Sequence, residues 1–448
     1  MRLIYKLIYW NYHATSGLWY WARRRFTLAG LCVAGGFLLA GITGLDIENT
    51  VIYQSFALLL SFLLLAFAGS FFIRANFSAT RSLPRFGTAG QPLKYRVTVK
   101  NLTAKPQVGL TLLEELADSR PGFDEWLAFQ LAEGKRVRPF RVAQRRRTNL
   151  FRQANVKNAE VPPLMSCGEA EASVELLPLR RGILHLTGIT LAQTDPLGLC
   201  RALRKILVPQ TILILPKRYP LPPITLPGAL RYQEGGVALA SNVGRSEEFV
   251  ALRDYRYGDP LRHIHWRSWA KTGKPIVKEF EDEFFVRHAL VLDTFDDEPN
   301  SEILEEAVSV AASFACTVMT QESLLDLLFV GNQSYCFTAG RGLAHGDQMM
   351  EILASVKNCA DKKFEVLEQL VLNHVSLVSG CICVLQRWDE PRRKFVEKLK
   401  VLGVPLLVLI IVSPGGGISG TSSELMEKPG TIRFLEIGKI AEELAKLK

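Results

Sequence analysis

The densest chemistry in this chain runs from Arg253 to Trp269, RDYRYGDPLRHIHWRSW, with four arginines, two aspartates and two histidines. Guanidinium forks at Arg253, Arg256, Arg262 and Arg267 suit an oxyanion or phosphate ligand. Paired differently, Arg253, Asp254, Asp259 and Arg262 make a buried ion-pair network that locks structural parts together, with Trp266 and Trp269 as packing residues. A third chemistry is metal or proton work by His263 and His265. His-x-His needs further ligands, and this stretch offers none with clear spacing.

A second cluster stands at the end of an apolar run, VLDTFDDE, with Asp293, Asp296, Asp297 and Glu298 together. Such oxygens suit a hard cation such as magnesium, or they cap a helix. A third runs from Lys135 to Lys157 and holds nine basic residues and no acidic one. Arg138, Arg141, Arg145, Arg146, Arg147 and Arg152 would form a patch facing anionic lipid headgroups. Phe140 and Phe151 are its sole aromatics, too few for a nucleic-acid groove built on stacking. The chain contains no G-x-S-x-G elbow, H-E-x-x-H or G-x-x-x-x-G-K-[ST] loop. GGGISG, Gly415 to Gly420, lacks the long following helix that a dinucleotide fingerprint requires. The residues therefore predict no enzyme, no cofactor and no small-molecule substrate.

These clusters need elements to position them. The 448 residues suffice for two or three domains, and 48% hydrophobic content argues for folded ones. Eight cysteines without C-x-x-C spacing read as reduced, buried thiols. Phe26–Leu45 and Val51–Ile73 are uncharged, each long enough to cross a bilayer, so a two-helix transmembrane hairpin is expected over 26–73. Asp46 and Glu48 lie between the spans, while Arg23, Arg24, Arg25, Arg74, Arg81 and Arg85 lie outside them. Positive flanks stay inside, so both termini and the body are expected in the cytoplasm, at the inner membrane. Residues 1–25 are then a basic cytoplasmic segment, with Trp19, Tyr20 and Trp21 at the interface.

Beyond the spans the period becomes two. In LKYRVTVK, Leu93, Tyr95, Val97 and Val99 alternate with polar residues, a half-buried strand. Similar runs predict a small antiparallel β-sandwich over 80–216, interrupted by the basic insertion 135–157. Residues 217–284 form a Pro/Gly-rich linker and the Arg253–Trp269 motif. From 285 to 448, apolar strands alternate with helices, which predicts a doubly wound α/β domain binding at the carboxyl ends of its strands.

Two resemblances follow. Arg253, Tyr255, Gly258, Asp259, Arg262, Ile264, Trp266 and Ala270 fit R-x-Y-x-x-G-D-x-x-R-x-I-x-W-x-x-x-A, and RRGILHLTGITLAQTDPLGL fits an upstream element. Both resemble the signature of domain-of-unknown-function family fifty-eight. VLDTFDDE resembles the D-x-S-x-S start of the adhesion-type metal site of von Willebrand factor A domains. Asp293 stands at its aspartate, but Phe295 and Asp297 replace both serines. The resemblance thus implies an A-like domain whose site is degenerate, with Asp293 and Asp297 as its remnants and no magnesium held. It also implies a membrane-anchored scaffold that docks protein partners, among them a MoxR-type AAA+ ATPase, in assembly or maturation of other proteins. The alternatives are anion sensing or an enzymatic site at the Arg/His cluster, and membrane-proximal nucleic-acid binding by the basic insertion.

Overall fold

The computed structural model describes residues 2–43, 50–72, 76–118, 120–136, 152–222, 249–259, 261–280, 287–296, 301–320, 324–339, 343–414 and 432–447. The chain divides into two compact units, one mainly of residues up to Lys217 and one mainly from Arg218 onward.

The first unit opens with helices α1 (Arg2–Arg25), α2 (Leu28–Thr43) and α3 (Thr50–Phe72). Within α3, Val51–Ser70 is long and apolar enough to cross a membrane, with a mean hydropathy of 2.2 and 6% of it buried. α2 is apolar but holds 16 residues, short of the roughly 20 that a span needs. The expected first span ran on to Leu45, and residues 44–49 lie outside those described. The two helices lie side by side, with the Phe37 and Phe56 rings stacked at 4.7 Å.

Strands follow. β1 (Phe77–Ser82), β3 (Leu93–Asn101), β7 (Glu169–Pro178) and β5 (Ala154–Val156) form one antiparallel sheet in the order β1-β3-β7-β5. β2 (Phe86–Thr88), β9 (Arg201–Leu215), β8 (Gly182–Thr194), β4 (Leu110–Leu116) and β6 (Ala159–Glu160) form a second, antiparallel except for the β2–β9 pair. Alternation does the sorting: Tyr95, Val97 and Val99 turn inward while Lys94, Arg96 and Lys100 stay outside. Inward residues of both sheets, such as Val174, Leu176, Leu186, Ile189 and Leu112, join one buried core. Each such side chain contributes about 1.5–3 kcal/mol on burial.

An unforeseen helix, α4 (Phe123–Arg136), interrupts the strands, with Asp124 and Glu125 in its first turn where the helix dipole favours acids. Its last residues coincide with the start of the basic insertion; 137–151 lie outside the described residues.

The second unit carries a two-stranded antiparallel pair, β10 (Phe249–Asp254) and β11 (Ile276–Phe280), with the short helix α5 (Trp266–Thr272) between them. Its main sheet has six strands: β12 (Arg287–Leu292), β13 (Leu324–Val330), β14 (Ser334–Ala339), β15 (Gly380–Leu385), β16 (Leu406–Val412) and β17 (Ile432–Glu436). The order is β14-β13-β12-β15-β16-β17, parallel apart from the edge strand β14. Helix α6 (Glu302–Thr320) packs on β12, β13, β15 and β16. The opposite parity of β12, Ala289 and Val291, shares a core with Leu367 of α8 (Glu365–His374) and Phe395 of α9 (Glu390–Val401). Helices α7 (Leu343–Ser355) and α10 (Ile440–Leu444) complete it. Successive residues of a central strand are buried on both faces, as a parallel sheet requires. Cys200, Cys359, Cys381 and Cys383 are buried as expected, whereas Cys32, Cys167 and Cys336 are exposed.

Candidate functional site

The Arg253–Trp269 motif folds on itself. β10 ends at Asp254, and Gly258 takes φ +107°, a conformation open to glycine with no side chain to strain. This turn brings Asp259 back to Arg253, whose guanidinium donates from Nη1 to Oδ2 at 2.7 Å and from Nη2 to Oδ1 at 2.8 Å. Arg256 N donates to Asp259 Oδ2 at 2.8 Å. Those bonds from Arg253 and the Arg256 amide hold the Asp259 carboxyl down at about 2. His265 N donates to Ile276 O, Tyr255 N to Pro275 O, and Ile264 bridges Val277, which seats the motif on β11.

This corrects the expected four-member buried network. The pair is half-buried, Asp254 is exposed, and Arg253 reaches Asp254 through its backbone oxygen at 3.2 Å. The Arg262 side chain lies outside the described residues. Trp266 was expected to pack inward; it is exposed and stacks on Trp269 at 5.2 Å. Arg256 and Arg267 are exposed, His263 is half-buried, and His265 Nδ1 pairs with Ser268 Oγ at 2.6 Å.

The acidic rim is organised by a residue that sequence reasoning missed. Asp293, wholly buried, follows β12. Its Oδ1 accepts from Phe295 N at 3.0 Å and its Oδ2 from Gln386 N at 3.1 Å. Arg392 supplies the rest, Nε to Oδ2 at 2.9 Å and Nη2 to Oδ1 at 3.2 Å. These four bonds use about all the acceptor positions a carboxylate has. Arg392 also donates to Asp389 Oδ2 at 2.5 Å and to Phe295 O at 3.1 Å, and its guanidinium lies 4.7 Å from the Phe364 ring centre. Burial works against the Arg392 charge, but Asp293 and Asp389 outweigh it and raise its pKa above the ordinary arginine value.

Asp293 therefore does not cap a helix. Asp389 does, accepting from Arg392 N at 3.3 Å at the start of α9, with Pro391 in the first turn. Nor do these residues fit a magnesium ion: the guanidinium occupies the side of Asp293 from which a cation would be bound. Among the described residues no group of three or more His, Cys, Asp or Glu is placed to hold a metal. Asp296 is ion-paired with Arg387, and Asp297 lies outside the described residues. The Asp-x-x-Arg spacing from Asp389 to Arg392 was the legible hint, a cap and a cation on one helical turn.

Above Arg392 lies an open cleft of about 360 Å³, with Lys362, Lys363, Phe364, Glu365, Arg387 and Pro391 among its walls. It stands where β12 and β15 diverge to helices on opposite faces, the crevice in which open α/β sheets bind their ligands. Of the basic patch, Arg152 is described and donates to Ala154 O at 3.3 Å, while Arg138, Arg141, Arg145, Arg146 and Arg147 lie outside the described residues, as does Gly415–Gly420.

Residues 251–406 match the model of the family described as "Protein of unknown function DUF58". This stretch of the chain is similar to the DUF58 family. It contains both the turn closed by Arg253 and Asp259 and the rim closed by Asp293 and Arg392. The chain is 27% identical over 186 residues to "Uncharacterized protein YeaD" of Bacillus subtilis (strain 168), covering 41% of this chain. It spans 44% of that relative's length. Among solved structures, a cohesin module from a Clostridium perfringens family 33 glycoside hydrolase aligns with 32% of this chain and 98% of its own, at 12% identity and a TM-score of 0.17. A Vibrio harveyi GH20 exo-β-N-acetylglucosaminidase aligns with 76% of this chain and 57% of its own, at 10% identity and a TM-score of 0.13. Scores this low assign no fold.

Proposed function

We propose that this chain is a membrane-anchored scaffold whose DUF58-like region binds a protein partner at the carboxyl rim of its six-stranded sheet. The observation that carries the reading is Arg392 on Asp293. A rim that neutralises its own central carboxylate with a built-in guanidinium is arranged for contact and not for metal-bridged adhesion or proton transfer. The flanking cleft offers exposed charge at Lys363, Glu365 and Arg387 over a floor that includes the buried Phe364, a polar surface suited to a protein interface. The parallel block, the antiparallel edge strand β14 and helices on both faces support the von Willebrand factor A-like reading.

In this proposal α2 and α3 are the anchor, with Asp46 and Glu48 outside and the Arg23–Arg25 run inside, so both units face the cytoplasm. The partner class is a MoxR-type AAA+ ATPase, which family resemblance implies, and the chain itself turns over no substrate. The test is affinity purification of the tagged full chain from detergent-solubilised membranes. An AAA+ ATPase should accompany the wild type and be lost with Lys363→Glu, an exposed rim position. Recovery of intact chain without any such ATPase overturns the partner, and turnover of a metabolite by the purified protein overturns the scaffold.

A further inference from the structure

Helix α1 carries an apolar stripe that the rest of the first unit does not cover. Leu3, Leu7, Trp10, Ala14, Leu18 and Trp21 recur at spacings of three and four, so at 3.6 residues per turn they share an arc of about 80°. The five large side chains are 50% exposed at Trp21 to 82% at Leu3. The stripe runs most of a helix about 36 Å long, 24 residues at 1.5 Å each. The opposite face is taken: the Tyr9 ring sits against Phe123 and Trp126 of α4, Tyr12 stacks near Trp126, and Tyr9 Oη donates to Pro121 O at 3.0 Å.

What covers the free face follows from where α1 ends. Arg25 Nη2 donates to Ser70 Oγ at 2.8 Å, which fastens the last turn of α1 to the last turn of the membrane-spanning candidate α3. Thr27 N donates to Leu199 O at 3.0 Å, and Thr27 Oγ1 accepts from Gly30 N in the first turn of α2. Gly30 sits so close to that loop that an added Cβ would lie 2.0 Å from Leu199 O. The end of α1, the start of α2 and the end of α3 thus meet at one level, the level at which the apolar pair joins the β-sheets. A helix leaving that level with one face on the unit and an apolar, tryptophan-bearing face outward has the pattern of an interfacial helix.

We infer that α1 lies in the plane of the membrane surface, its Leu3–Trp21 stripe in the headgroup and acyl boundary, and holds the first unit against the bilayer. The inference rests on the reading of α3 as a membrane span. Continuity with that span selects lipid over a second protein as the occupant.

The test places the photoreactive residue p-benzoylphenylalanine at Leu7, Trp10 or Leu58 in turn, in the full chain reconstituted in phosphatidylethanolamine–phosphatidylglycerol vesicles. Leu58, exposed within α3, reports the span. Mass spectrometry should find lipid adducts at all three positions, and Leu7→Asp with Leu18→Asp should abolish the adduct at Trp10. Adducts at Leu58 with none at Leu7 or Trp10, or protein adducts there, overturn the inference and leave the anchor standing. No lipid adduct at Leu58 overturns the span instead, whatever α1 shows.

Discussion

Arg392 clasps Asp293 across 99 residues of chain, Nε to Oδ2 at 2.9 Å and Nη2 to Oδ1 at 3.2 Å. Both partners are buried, so neither charge has water as an alternative. Removing Arg392 alone strands the carboxylate, and loss of one member of a buried pair costs about 3–5 kcal/mol. Arg392→Met should destabilise the protein by that amount in denaturant titrations, and Asp293→Asn in the same chain should recover much of it.

The same pair predicts indifference to divalent cations. Thermal unfolding of the wild type in magnesium should match unfolding in a chelator. A clear rise in Tm with magnesium would mean that the guanidinium leaves its carboxylate, against the arrangement described.

The first unit holds a comparable pair. Arg81 and Glu114 are ion-paired with both side chains buried, and Tyr95 Oη donates to Glu114 Oε2 at 2.7 Å. Arg81→Met should again cost about 3–5 kcal/mol. Adding Glu114→Gln, which keeps an acceptor for Tyr95, should restore part of the loss; equal stability of the single and double variants would show that the charge is not what Arg81 satisfies.

Asp259 predicts a pH dependence. Its carboxyl is lowered from 3.8 to about 2, so the folded state holds the ionised form more tightly than the unfolded chain does. The Arg253 clasp therefore stabilises fully above the unfolded value and is lost as pH falls through the folded one. The stability difference between wild type and Asp259→Asn should be constant above pH 4 and shrink between about pH 4 and pH 2. A difference that persists unchanged to the lower limit refutes the assignment.

Gly258 supplies a backbone test. Its φ of +107° penalises any side chain, although an added Cβ would meet nothing within 4 Å. Gly258→Ala should destabilise by about 1–3 kcal/mol through the backbone alone, and a neutral outcome would show that the turn can relax.

Local pattern carried much of the fold. The alternation in Leu93–Val99 and the continuous apolar run Leu406–Val412 were legible because burial on one face or two leaves a direct signature. Strand order was not, because the register that sets Leu292 beside Val384 joins segments about ninety residues apart. The Asp293 clasp was hidden for that reason: Gln386 and Arg392 reach it only once β12 and β15 are neighbours. α1 escaped for another. Its leucine and tryptophan stripe was present, but tyrosines on the opposite face masked the contrast that marks an amphipathic helix. α8 was overlooked because EVLEQLVLNH follows a polar stretch with no side-chain cap to announce it.

A counter-ion welded into the polypeptide cannot be rinsed away, diluted or exchanged for calcium. The charge at the floor of that rim is thus balanced by the fold itself, from the moment β12 and β15 come together, and owes nothing to the ions around it.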